Sequence, residues 1–180
     1  MAVSDRMLVL NDGEMEQLDK VEDIYDTPAS KFVARFIGNI NIVPGTIVEA
    51  SDTDATIETW RREVHVPNAG ARRVDGVSIE EGTDVSVGVR PSRVSIGTPD
   101  SEDVFSVTGK IQNRGYAGEE TVYTVETEHG SFTVNTPDRD YSIGDEVPIW
   151  WPASEVYLFE HDVTTAGDGD TSELGGGDEQ

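Results

Sequence analysis

The chain has 180 residues, no cysteine, and 36 acidic against 13 basic side chains, for a formal net charge of −23. That excludes disulfides, thiolate catalysis and Cys-based zinc sites, and argues against nucleic acid or anionic lipid as a partner, because like charges repel. The carboxylates are spread along the chain, a pattern that predicts adaptation to molar salt, where the Debye length shrinks to about 3 Å.

Arg6-Met7-Leu8-Val9-Leu10 is a short apolar run, Asn11-Asp12-Gly13 is a tight-turn signal, and Glu14 to Leu18 alternates polar and apolar. Together they predict a β-hairpin, since Asn, Asp and Gly tolerate positive φ. Asp19 with Glu22 three positions on predicts a capping box for a short helix through Tyr25, which Pro28 stops. Ser30 predicts the cap of a second helix, 31–37, with Phe32, Val33, Phe36 and Ile37 on one face and Gly38 ending it.

From Ile42 the pattern changes to short alternating runs broken by Gly, Pro, Asn and Asp. Strands are predicted near 45–50, 56–59, 62–66, 84–89, 92–96, 105–113, 120–126, 131–135, 146–150 and 156–159, which implies a mainly β fold, an antiparallel barrel or sandwich. Gly-Thr-Ile-Val-Glu at 45–49 echoes Gly-Lys-Ile-Gln-Asn at 109–113, and each run later reaches a Gly-Thr or Gly-Asp turn. Residues 163–180 hold five acids, five glycines and no base, a composition that predicts disorder. The expected organisation is therefore a unit at 1–41, a β domain at 42–161 and an acidic tail at 162–180.

No catalytic constellation is encoded. There is no Gly-x-x-x-x-Gly-Lys-Ser/Thr phosphate loop, no Gly-x-Gly-x-x-Gly and no Gly-x-Ser-x-Gly elbow. His65, His129 and His161 read as exposed or strand-edge side chains. The acid pairs Glu80-Glu81 and Glu119-Glu120 read as solvated surface, and Arg61-Arg62 and Arg72-Arg73 as partners of neighbouring carboxylates. Residues 42–161 carry 22 acids and nine bases, the wrong sign for an oligonucleotide-binding groove. No run approaches the roughly 20 apolar residues that cross a bilayer, and the N-terminus lacks the features of a secretory signal. The expectation is a soluble intracellular chain that reaches a membrane only through a partner.

Three blocks near the N-terminus resemble the close of the ATP-binding subunit of ABC importers. They are Val3 to Gln17, Glu22-Asp23-Ile24-Tyr25-Asp26-Thr27-Pro28-Ala29, and Phe32-Val33-Ala34-Arg35-Phe36-Ile37-Gly38. Val87-Gly88-Val89-Arg90-Pro91-Ser92-Arg93-Val94, Gly109 to Glu120, and Tyr141 through Val156 resemble the accessory TOBE barrel that follows in that family. The likeness leans to the spermidine/putrescine type, with iron and sugar importers close behind.

The resemblance implies an OB-like antiparallel β-barrel preceded by a small α/β remnant of the nucleotide-binding domain. It implies an accessory, regulatory role in ATP-driven uptake. The expected partners are the ABC ATPase domain, a homodimer mate and, indirectly, the membrane permease subunits, at the cytoplasmic face of the membrane. The family's phosphate loop, signature motif, catalytic Glu and switch His lie upstream, so no catalytic, cofactor or metal residue carries over. ATP and Mg belong to the parent family rather than to this chain. A gene fragment is the expected origin. Some TOBE-type barrels bind small oxyanions, and Ser92 and Arg93 are the candidates for that alternative.

Overall fold

The computed structural model describes residues 6–161 except Asp75 and Asp100. The predicted tail lies outside the described residues. Strands β1 (Met7–Asn11) and β2 (Glu14–Asp19) form the predicted hairpin. Asp12 and Gly13 both take positive φ, 50° and 87°. That is the primed turn whose twist matches the flanking strands.

Helix α1 runs Val21–Asp26 and α2 runs Lys31–Gly38. Ser30 caps α2 as expected, its Oγ accepting from the Val33 N–H at 3.3 Å. Three details differ from the sequence reading. Lys20, not Asp19, is the N-cap of α1, and no side chain caps it. Asp19 ends β2, and its carboxylate accepts instead from the Lys20 N–H at 2.9 Å. Gly38 is the last helical residue, and Asn39 takes the left-handed conformation at φ 44°. Val33 and Ala34 make the buried stripe of α2, while Phe32 and Phe36 point outward and stack on each other at 6.0 Å.

The β region contains β3 (Asn41–Ala50), β4 (Ala55–Thr59), β5 (Arg62–Val66), β6 (Asp84–Val89) and β7 (Ser95–Ile96). After these come β8 (Val104–Ala117), β9 (Glu120–Thr127), β10 (Gly130–Thr136), β11 (Glu146–Pro152) and β12 (Tyr157–Glu160). A four-residue helix α3 (Ala69–Arg72) sits between β5 and β6. The predicted strand at 92–96 is a 3-10 turn, Pro91–Arg93, followed by the two-residue β7. Proline at the turn's first position sets its φ without losing a needed N–H.

The strands form two antiparallel five-stranded sheets, ordered β12-β6-β3-β4-β5 and β7-β11-β8-β9-β10. The order is the same in both, so the short sequence echo marks a true structural repeat. A bulge follows Ile47 in the β3–β4 pairing and Ile111 in the β8–β9 pairing. The Ile47 N–H donates to Thr83 O and its carbonyl accepts from Gly82; Ile111 does the same with Asp145 and Gly144. Gly45 and Gly109 are both closely covered, and a Cβ on Gly109 would lie 2.6 Å from the Glu126 carbonyl oxygen. The final strands are exchanged: β7 of the first repeat pairs with β11, and β12 of the second pairs with β6.

One core fills the space between the sheets, with Ile47, Ile57, Val85, Phe105, Ile111, Tyr123, Ile149, Trp151 and Leu158 among its buried members. The equivalent β4–β5 and β9–β10 turns meet, with Trp60 stacked on His129 at 4.5 Å and 4°. His129 is exposed in its turn, as expected, with one face of its ring against Trp60. Arg62 donates to Ser106 Oγ at 2.8 Å rather than to a carboxylate.

Candidate docking site

The hairpin and the two helices form a small layer of their own. Alternation along β1 sends Val9 inward, where it packs with Ile24 of α1 and Val33 of α2. The opposite face carries Leu8 opposite Leu18 and Leu10 opposite Met15. These four are 44–67% exposed and make one apolar surface on a two-stranded ribbon. A two-stranded ribbon is at best marginally stable alone and is supported here by the two helices on its Val9 side, and an outward apolar face of this kind marks an interaction surface. Beside it, Met7, Val21, Tyr25, Phe36 and Ile37, with Glu22 and Asp26, line an open groove of about 540 Å³.

Polar side chains of β2 hold the helices in place. Gln17 donates to Thr27 O at 3.1 Å and accepts from the Ala29 N–H at 2.8 Å, which ties down the α1–α2 loop. Glu16 accepts from Asn11 Nδ2 at 3.0 Å and from Ser30 Oγ at 2.8 Å. These two hydrogen bonds, the Asn11 one first, hold its carboxyl below the usual glutamate range, and slight burial works weakly against them. A depressed carboxyl stabilises the fold above its unfolded pKa and loses that contribution as pH falls through the folded value. The hairpin–α2 contact is therefore expected to loosen on acidification below the ordinary glutamate range. Amide exchange at Val33, followed against pH, checks this, and Glu16→Gln is expected to flatten the response.

The small layer is fastened to the β domain at several points: Ala34 of α2 packs with Ile40, Val74 and Phe159, and Arg90 binds both helices. Arg90, at the end of β6, is 2% exposed. Its Nη1 donates to Ala34 O of α2 at 2.9 Å and its Nη2 to Tyr25 O of α1 at 2.5 Å. The guanidinium carbon lies 4.2 Å from the Tyr25 ring centre and 5.7 Å from that of Tyr157. Tyr157 Oη donates to Asp26 O at 3.1 Å. Two carbonyls left open at the C-terminus of α1 are thus satisfied by side chains of the β domain. Charge-assisted bonds of this kind contribute about 1.5–3 kcal/mol each. Lys31 Nζ reaches Ser86 Oγ at 3.0 Å from α2. Sequence inspection had Arg90 only as part of an Arg-Pro segment, with nothing to show that it turns inward.

The two ligand candidates lie at the edge of this junction. Both Ser92 and Arg93 are exposed. Ser92 Oγ is 3.5 Å from Tyr25 Oη, and Arg93 Nε is 3.5 Å from Glu155, its counterpart in the second repeat. Among the described residues no group of three or more His, Asp or Glu is placed to hold a metal ion. No helix among them is long and apolar enough to cross a membrane.

The described residues thus form a doubled OB-like β domain carrying a small α/β layer with an outward apolar face. Comparison with known proteins places it further. The TOBE domain family matches residues 87–159. The spermidine/putrescine import ATP-binding protein PotA of Marinobacter nauticus is 30% identical over 161 residues, covering 84% of this chain and 40% of that protein. PotA of Thermobifida fusca is 32% identical over 166 residues, covering 88% and 41%. The Fe(3+) ions import ATP-binding protein FbpC of Rhizobium etli is 28% identical over 158 residues, covering 88% and 39%. The chain thus carries a TOBE domain and is related over most of its length to part of the ATP-binding subunits of ABC importers. It spans less than half the length of these curated relatives. In structure it is similar to the cytoplasmic molybdate-binding protein ModG in a molybdate-bound form, with a TM-score of 0.52 and 16% identity. That match covers 67% of this chain and 96% of ModG, and shows a shared fold.

Proposed function

We propose that the chain is the accessory and regulatory region of an importer ATP-binding subunit. Residues 6–39 dock on an ABC ATPase domain, and the β domain supports pairing of two such subunits and receives regulatory signals. Chemistry is left to the ATPase domain, which would hold ATP and Mg. The named relatives favour polyamine uptake, at the cytoplasmic face of the membrane beside the permease subunits. The acidic surface fits a cytoplasm of high ionic strength.

The observation that carries the reading is the outward apolar face of Leu8, Leu10, Met15 and Leu18. The test is binding of the purified chain to the ATPase domain of one of the PotA relatives, prepared without its own C-terminal region. Leu8→Glu with Leu10→Glu is expected to weaken binding about tenfold or more, a loss of about 1.4 kcal/mol per decade. The melting of the β domain should stay unchanged. Equal binding by the double variant, or none by the parent chain, would sink the docking role.

A second reading is an oxyanion site at Ser92 and Arg93. The molybdate-binding neighbour favours it, but the Glu155 carboxylate beside Arg93 disfavours an anion there. Calorimetry with molybdate, tungstate and sulfate decides it, and no heat from any of the three removes it.

A further inference from the structure

The two repeats agree closely in backbone where β6 and β11 end. Arg90 precedes the 3-10 turn of the first repeat with φ −67° and ψ 141°. Pro152 precedes the equivalent turn, Ala153–Glu155, with φ −65° and ψ 140°. After the turns, Val94 and Val156 share φ, −91° and −88°, while ψ is 129° and 159°. The fold of this corner therefore does not call for an arginine, since proline makes the same corner in the other repeat. The side chain at position 90 serves something found on one repeat only, and the small α/β layer is that thing.

The two terminal nitrogens of Arg90 fit that assignment, while its buried Nε has no hydrogen-bond partner among the described residues. In a chain with 36 acids its guanidinium has no carboxylate partner among the described residues. Its partners are the carbonyls of Tyr25 and Ala34 and the faces of two tyrosines. One cation thus reads the position of α1 and α2 at once, through a planar fork that lysine does not possess. Gly38 completes the seat: a Cβ there would overlap the guanidinium. Burying a charge on carbonyls and rings alone is costly unless the geometry is held.

We propose that Arg90 is a positioning residue: it latches residues 6–39 to the β domain in one orientation, so that the β domain sets the angle at which the apolar docking face is presented. The use of that angle rests on the docking reading above, whereas the latch does not.

The test uses the whole chain without any ATPase domain, so its outcome is independent of that reading. The sequence holds no cysteine, so Glu14→Cys and Glu119→Cys give two unique spin-label positions, one on the hairpin and one on the β domain. All three tryptophans, Trp60, Trp150 and Trp151, lie in the β domain, so their fluorescence follows that domain alone. The parent chain is expected to give one narrow distance distribution. Arg90→Met should broaden it at least twofold while tryptophan-detected melting is nearly unchanged, and Arg90→Lys should not restore the narrow peak. Gly38→Ala, made with Arg90 intact, should broaden it from the helix side and serves if Arg90→Met does not fold. A narrow distribution in these variants overturns the proposal. So does a tryptophan-detected melting loss that accompanies the broadening in both Arg90→Met and Gly38→Ala, because Arg90 would then be an ordinary core residue.

Discussion

Trp151→Ala is expected to destabilise the chain by about 3–5 kcal/mol, the usual range for removing a large buried aromatic. Domains of this size are stable by only about 5–15 kcal/mol, so much of the fold's margin rests on this ring. Trp151 is fully buried in β11. It stacks on Phe105 at 5.7 Å and 11°, lies tilted against Phe132 at 5.5 Å and 32°, and meets Trp60 edge-on at 6.3 Å. Trp60 belongs to the first repeat and the others to the second, so the cavity would open at the seam between repeats. Its Nε1 has no hydrogen-bond partner among the described residues. Trp151→Phe should therefore cost much less than Trp151→Ala, since it gives up volume but no bond. Urea unfolding followed by circular dichroism measures both. An alanine cost under about 1 kcal/mol would show that the seam can close over the gap.

The second large effect is expected at Asn41, where β3 begins. Its side chain behaves as a short piece of neighbouring strand. Nδ2 donates to Thr133 O at 2.8 Å, and Oδ1 accepts from the Thr133 N–H at 2.8 Å. Thr133 lies on β10, the outer strand of its sheet, whose free edge would otherwise face the first repeat unpaired. Asn41 is only 7% exposed, so water cannot readily take over. Asn41→Ala should cost about 2–6 kcal/mol, because it strands one donor and one acceptor at about 1–3 kcal/mol each. Asn41→Asp should be nearly as harmful, since a carboxylate in place of Nδ2 faces the Thr133 carbonyl. Thr46→Ala, which removes an exposed bond to Asp84, is the control and should change little. Equal melting of Asn41→Ala and the control would show that solvent reaches Thr133.

The local elements were legible where local chemistry decides them. Asn11-Asp12-Gly13 gave away its turn, Ser30 its helix start, and period-two alternation most strands of the β domain, including β5 and β6 to the residue. Leu8 and Leu10 were legible as part of an apolar run and Met15 and Leu18 as part of an alternating one, though not as one outward face. The misses have a common cause in tertiary contacts. Gly38 looked like a helix terminator, whereas it leaves room for a side chain 52 positions away in sequence. Phe32 and Phe36 fitted a buried stripe by spacing, yet α2 buries Val33 against the hairpin and α1 and Ala34 against Val74 and Phe159, and turns both rings outward. The short β7 is stabilised by β11 of the other repeat, so its own two residues carry little signal. The glycine echo at 45 and 109 announced a repeat, but nothing local tells a strand which repeat it will join.

That exchange of final strands has a consequence for ancestry and assembly. A chain consisting of one repeat would have its last strand extended with no place in its own sheet. It could complete that sheet only with a second copy giving the same strand back, a mutual swap of the kind that makes symmetric dimers. The present chain has the form of such a swapped pair joined head to tail, with the segment between β7 and β8 as the connection. Joining the halves replaces a concentration-dependent encounter with an effective concentration in the millimolar range for a short linker. Cutting the tether between residues 97 and 103 should leave two pieces that are each unfolded alone but recombine when mixed.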